Sequence, residues 1–353
     1  MKLYILAVTY IICTGVKAAA NKDTAVELTN LTNSIISVTS AELLIKSNIA
    51  AKTVLGFSKK SRAIEAYYFP GNSDKRALII GGVHGSELSS IEIARLVVGS
   101  LKNGEKPYYN VIIIPVLFPD NAALAQSKPA LIGSTMNYGR YTNTVTADPN
   151  RQMPSPGKAF DTTTKDHLGR EIETENRLLL ELIHMYRPQR IISIHAIRNI
   201  SKAGIYADPR TDANGRAMGF TCDSSLAIEM AKYVQSNDGY IPGNNLDDSP
   251  SALYHCDFAA VPAGYKQTRN FHGSVLPNKR GVGVSLGSWA STAISNEKDL
   301  YNREAISMLT MEFPGYKRPG DYNTLNEQRY FSHLIRLYAS SIQYIFLERC
   351  FEE

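Results

Sequence analysis

Short apolar runs that stop at glycine or proline, with stretches of helical spacing between them, recur along this 353-residue chain. Residues 77–80 read Ala-Leu-Ile-Ile and break at Gly81-Gly82. Beyond the break Ile91, Ile93, Ala94, Leu96, Val97 and Val98 recur at spacings that predict a buried helix. Residues 111–116 predict a second strand, with Pro115 marking where its ladder stops, and Pro119-Asp120 then turns the chain. Residues 121–150, rich in Asn, Thr and Gly toward their end, predict a long surface loop. Residues 173–186 put Leu178, Leu179, Leu182 and Ile183 on one face of an amphipathic helix that stops before Pro188. Residues 191–194 and 309–313 predict two more strands, the second closed by Pro314-Gly315. Residues 330–347 predict a last amphipathic helix on the outside of the sheet, whereas residues 21–60 carry mixed signals.

Strands alternating with helices predict a single α/β domain: a mixed, doubly wound sheet with helices on both faces and some strands antiparallel. No internal repeat, low-complexity tract or interdomain linker interrupts it. At 44% hydrophobic residues the chain can bury a sizeable core, which sets it apart from disordered sequences. Residues 1–20 stand aside from this pattern. Lys2, the mostly apolar stretch 3–13 and Ala18-Ala19-Ala20 have the layout of a secretory signal peptide, too short to span a bilayer. A buried first strand is the alternative. Cys13 follows Ile12 rather than a small residue, which disfavours a lipoprotein anchor. The expected organisation is a signal peptide at 1–20 and a catalytic domain at 21–353, periplasmic or secreted, without a membrane anchor after cleavage.

Loss of Lys2 and Lys17 with the signal peptide takes the formal charge from +5 to +3. So mild an excess, with no dense basic run, argues against nucleic acid as the partner. In an oxidising compartment the spacing of Cys222 and Cys256 permits a disulfide, with Cys350 left over. No Cys-x-x-Cys pair exists, which disfavours a thiolate metal site. Asp247, Asp248, Arg269 and Lys279 either line a specificity pocket or belong to ordinary surface.

The candidate chemistry gathers where apolar strands run out. His84 and Glu87 follow the glycine break after residues 77–80, at the edge where open α/β sheets place their ligands. His-x-x-Glu offers an imidazole and a carboxylate close together, although the same pair also suits a solvated helix start. His195 ends the apolar run 191–194 and supplies a second imidazole. Two imidazoles, one carboxylate and an open fourth position make a catalytic rather than a structural zinc site, with one ion per chain. Glu312 sits among apolar strand residues, where a carboxylate is costly unless paired or hydrogen-bonded. It reads either as a general base or as a strand-edge partner of a nearby cation. Arg140 and Asn143 precede Asp148-Pro149-Asn150-Arg151 at the end of the long loop. Arginine there suits a substrate carboxylate or a developing oxyanion, or is plain solvated surface.

Taken in order, His84-Gly85-Ser86-Glu87, Arg140 with Asn143, Asp148-Pro149-Asn150-Arg151, His195 and Thr310-Met311-Glu312-Phe313-Pro314 resemble the M14 zinc carboxypeptidase family. The likeness spans about residues 77–315, and within the family it is nearest the bacterial branch acting on cell-wall stem peptides, murein peptide amidases included. The resemblance implies His84, Glu87 and His195 as zinc ligands, Glu312 as general base and Arg140 as stabiliser of the oxyanion. It implies Asn150 and Arg151 as holders of the substrate's terminal carboxylate, and a peptide substrate, peptidoglycan stem peptides above all. Two departures stand out. Pro149 replaces the Leu that many members carry, and the region where many place a capping Tyr reads Ser285-Leu286-Gly287-Ser288-Trp289-Ala290-Ser291, with Tyr301 the nearest tyrosine. Trp289 lines the pocket or belongs to the core. Two other readings use much of the same pattern: an N-acyl amino acid hydrolase resembling aspartoacylase or succinylglutamate desuccinylase, and an inactive module that binds wall peptides.

Overall fold

The computed structural model describes residues 48–136, 138–141, 147–161, 163–213, 217–219, 221–244, 246, 283–295 and 302–348. The expected signal peptide, Asn143, Asp247, Asp248, Cys256, Arg269, Lys279, Tyr301 and Cys350 lie outside the described residues.

In chain order the elements are β1 (Ala51–Phe57), β2 (Ala63–Phe69), β3 (Arg76–Ile80), α1 (Leu88–Asn103), β4 (Asn110–Ile114) and α2 (Pro119–Gln126). They continue with α3 (Thr174–Tyr186), β5 (Arg190–Ile197), β6 (Gly204–Asp208), the small ribbon β7 (Arg210–Thr211) and β8 (Ala217–Gly219), and α4 (Thr221–Ser236). The last are α5 (Leu286–Ala290), β9 (Ser307–Pro314) and α6 (Leu325–Ser341). Seven strands form one sheet in the order β1-β2-β4-β3-β5-β9-β6. Its centre, β4-β3-β5-β9, is parallel; β2 and β6 pair antiparallel with β4 and β9, and β1 pairs antiparallel with β2.

The central strands are apolar on both sides because both sides are covered. Ala77, Ile79, Ile192, Ile194 and Met311 pack under α1, α4 and α6 on one face. Leu78, Ile80, Ile191 and Met308 pack under α3 and α5 on the other. From β3 the chain crosses through α1 to β4, then returns through α3 on the opposite face to β5, on the far side of β3. The winding therefore reverses at the carboxyl ends of β3 and β5, where open sheets of this kind leave a crevice.

Several expectations change in detail. Residues 119–126 form a helix rather than the start of a surface loop. Asp120 and Asn121 are buried there: Asn121 lies against Gly85 and Gly139, and Asp120 ties down the β1–β2 turn. Its carboxylate accepts from Ser58 Oγ (2.9 Å), the Lys60 amide (3.0 Å) and Arg62 Nη1 (2.8 Å). That turn belongs to a hairpin, β1–β2, in a stretch whose mixed polarity had hidden it. The strand from Asn110 does end at Ile114, so its ladder stops at Pro115 as expected. The C-terminal helix begins at Leu325, earlier than its apolar spacing indicates, because Thr324 and Glu327 close a capping box at its start. No helix among the described residues is long and apolar enough to cross a membrane. Cys222 is disulfide-bonded, to a partner outside the described residues.

One buried acid gives the fold a pH signature. Glu175, near the start of α3, is 4% exposed. Burial, with the Glu173 and Asp120 charges nearby, pushes its pKa up to about 7. The folded chain thus holds this proton up to about pH 7, while the unfolded chain releases it near the ordinary 4.5. Stability from this group is greatest below that window and falls as pH rises through it. Glu175→Gln is expected to raise Tm by a few °C at pH 8 and to leave it nearly unchanged at pH 4.5, by thermal melts at both pH values.

Candidate metal centre

The loop after β3 is built to turn and to pack close. Gly82 adopts φ +62°, a left-handed conformation that side chains disfavour, and lets the chain reverse after the strand. A Cβ on Gly85 would lie 2.2 Å from the Ala122 amide nitrogen, so only glycine lets this loop rest on α2. The start of α1 is pinned from the other side: Ser89 Oγ donates to the Gly315 carbonyl (2.6 Å) and the Ser89 amide to the Tyr316 carbonyl (3.1 Å). His84 and Glu87 are thereby fixed between α2 and the turn that follows β9.

His84, Glu87 and His195 are all buried, and one donor atom from each lies within 4.8 Å of the others. His84 Nδ1 is 3.0 Å from Glu87 Oε1, and His195 Nδ1 is 3.2 Å from both His84 Nδ1 and Glu87 Oε2. Ligands bonded at 2.0–2.1 Å around a tetrahedral ion stand about 3.3 Å apart, so the spacing matches a small divalent cation. The far ring nitrogens explain the orientation. His84 Nε2 meets Asp148 Oδ1 at 2.8 Å, and His195 Nε2 meets Ser193 Oγ at 2.9 Å. With Nε2 donating in each neutral ring, both Nδ1 lone pairs face the shared point. Donor type, spacing and tautomer all fit a metal ion held by these three residues.

His195 is not past the end of its strand, as its apolar run implies; β5 continues to Ile197. The continuation is useful, because the Ala196 amide donates to Glu87 Oε2 at 3.0 Å. On the neighbouring strand Glu312 lies in register with His195. Ile194, Ala196, Met311 and Phe313 fill the core on one face, so His195 and Glu312 project together from the other. Arg140 Nη1 donates to Glu87 Oε1 at 2.6 Å, and its Nη2 is 3.8 Å from Asp148 Oδ2.

Asp148 caps the short turn Pro149–Arg151, accepting from the Asn150 amide at 2.9 Å. Asn150 Oδ1 accepts the Leu286 amide of α5 at 3.1 Å, and Arg151 Nη1 donates to the Asn150 carbonyl at 2.6 Å. Every expected site residue thus gathers on one side of the sheet's carboxyl edge: three at the centre, Arg140 on Glu87, Glu312 opposite His195, and Asn150 and Arg151 beside Asp148.

The charges support one another. Burial works against the imidazolium of His84, but Glu87 and Asp148 outweigh it and raise its pKa to about 9. Burial likewise opposes the Glu87 and Asp148 carboxylates, and the facing imidazoles and cations hold both well below the usual range. Arg140 is held charged by the same two carboxylates against the cost of burial. Metal binding at this cluster therefore displaces a proton from His84.

Two participants escape sequence reading. Asp148 had no assigned role, and its partner His84 lies 64 residues earlier. Tyr316, half-buried, feels the charges of Glu87, Arg140 and Glu312, and burial first of all raises its pKa. Its only sequence signal is its place just past Pro314-Gly315. Trp289 belongs to the core: it is 2% exposed, with its indole N–H given to the Lys158 carbonyl.

No protein-family model matches the chain, and no curated protein matches it. Among solved structures it is similar to murein-tripeptide amidase MpaA of Escherichia coli O157, at 16% identity over 85% of this chain and 94% of that one, TM-score 0.42. A metallo-carboxypeptidase of Burkholderia cenocepacia is similar at 14% identity over 88% and 68%, TM-score 0.42. Thrombin activatable fibrinolysis inhibitor is similar at 14% identity over 86% and 71%, TM-score 0.47. At these levels of identity and superposition, function rests on the chain's own residues.

Proposed function

We propose that the chain is an exported zinc-dependent carboxypeptidase that hydrolyses a terminal amide bond of peptides, with peptidoglycan stem peptides as substrate. The observation that carries the reading is the convergence of two Nδ1 atoms and one carboxylate within 4.8 Å, with Glu312 in register beside them. Two imidazoles and one carboxylate are the donor set of a catalytic zinc. When bound, zinc supplies Lewis acidity that polarises a carbonyl and brings the pKa of a water toward neutrality.

The chain's own residues do the rest. Glu312 accepts the proton of the attacking water and returns it to the leaving amine. Arg140, kept charged at the edge of the cluster, stabilises the negative charge that develops on the carbonyl oxygen. Asn150 and Arg151 take the substrate's terminal carboxylate, which directs cleavage to the chain end. Asp148 and Ser193 hold the two imidazoles in the tautomer that ligation needs. Export follows from the signal-peptide layout of residues 1–20 and agrees with a disulfide at Cys222. Stem peptides follow from that compartment together with the family resemblance of the motif set.

The test is incubation of the zinc-loaded protein with stem tri- and tetrapeptides, followed by mass spectrometry, beside acetyl-aspartate. Loss of one terminal residue, abolished by a chelator and restored by zinc, is the expected result. Turnover of acetyl-aspartate alone would move the assignment to N-acyl amino acid hydrolysis. Zinc binding with no turnover of any of these substrates would leave a wall-peptide binding role.

A further inference from the structure

We infer that Arg170 is a positioning residue for the substrate's terminal carboxylate, acting through the main chain of the loop that carries Asn150 and Arg151. The role rests on the carboxypeptidase reading, since it belongs to that same site.

Contacts from three directions hold the loop 148–152. The Pro149 carbonyl accepts from Asn176 Nδ2 of α3 at 2.9 Å. The Asn150 side chain takes the Leu286 amide of α5 on Oδ1 at 3.1 Å. The Arg151 carbonyl accepts from Arg170 Nη2 at 2.8 Å. The second contact decides which way the Asn150 carboxamide points. A main-chain N–H bonds to oxygen, so Oδ1 is turned toward α5 and Nδ2 away from it. Nδ2 has no protein partner among the described residues, which leaves a donor for a carboxylate.

Arg170 is aimed at the loop by a buried acid. Its Nε donates to Asp166 Oδ2 at 2.5 Å, and the Asp166 carboxylate is fully buried. Asp166 Oδ1 accepts the amides of Leu168 (2.9 Å) and Arg170 (2.8 Å), which fix the acid in turn. Nε and Nη2 belong to one rigid planar fork, so anchoring the first sets where the second points. Gly283 crowds the same carbonyl: a Cβ there would lie 2.4 Å from the Arg151 oxygen and 3.1 Å from Arg170 Nη2. The next residue, Val284, bridges to Met153, and Leu286 reaches Asn150. Arg170 and the segment 283–286 thus form one continuous support for the two side chains that take the carboxylate. Asp148, which orients His84, is at the other end of the loop and is held by the Asn150 amide. Loss of the Arg170 contact is therefore expected to disturb carboxylate binding and to spare the metal centre.

The test is Arg170→Lys, which keeps a positive charge beside Asp166 and replaces the two-armed fork with a single ammonium. Kinetics are measured on a stem tripeptide with a free terminal carboxylate and on the same peptide as its terminal amide. For the free acid, KM is expected to rise about 10-fold, with kcat within about 2-fold of the parent. The preference for acid over amide is expected to fall by the same factor, with zinc content unchanged. A variant that was merely less stable would lower the active fraction, and so kcat, without moving KM or the preference. Asp166→Asn combined with Arg170→Gln removes both charges together and leaves no unpaired buried carboxylate. It is expected to reproduce the rise in KM. A parent protein that cleaves neither peptide, or both alike, would overturn the carboxypeptidase reading and this role with it. A parent that prefers the acid, with variants that keep its KM and its preference, would overturn this role alone.

Discussion

Glu312→Gln is expected to lower kcat by about 10²- to 10⁴-fold while the protein still binds one metal ion per chain. Glutamine keeps the shape of the side chain and loses only its ability to accept a proton as a carboxylate. Glu312 is not one of the three converging donors, so metal content should not follow activity. The position itself is secure. Main-chain pairing fixes residue 312 opposite His195, and the core contacts of Met311 and Phe313 prevent the strand from turning over. The checks are steady-state kinetics with metal analysis of the same preparation. Loss of metal together with activity would make Glu312 a ligand instead of a base.

His195→Ala is expected to lose the same two quantities together. It removes one of three donors and leaves Glu87 facing a single imidazole, so metal and turnover should both be lost. The parent protein should show a Tm that rises with added zinc, through linkage of binding to folding. In the variant that rise should vanish. Ser193 and the Ala196 amide remain, so β5 should keep its place between β3 and β9. Calorimetric melts with and without zinc, beside metal analysis, read both effects. A variant that kept its metal would place the ion elsewhere.

Much of this centre is legible in the sequence because its residues stand at punctuation. His84 and Glu87 follow a glycine turn that ends an apolar run, and Glu312 interrupts another just before Pro314-Gly315. Apolar runs of four or five residues, buried on both faces, identify the central parallel strands for the same reason. What stays hidden depends on distant contact. Asp148 reads as a loop acid until the fold brings it to His84 Nε2. The helix from Pro119 looks like loop because its polar residues are buried by tertiary contacts rather than by apolar spacing, Asp120 against the β1–β2 turn and Asn121 against Gly85 and Gly139. Tyr316 reaches the cluster only because the turn after β9 is bonded to the start of α1.

The most direct test of the metal centre is anomalous diffraction from crystals grown with zinc, measured on both sides of the zinc absorption edge. One peak is expected, bonded at about 2.0–2.1 Å to Nδ1 of His84 and of His195 and to the Glu87 carboxylate. A peak elsewhere, or none at that cluster in zinc-saturated crystals, would contradict it.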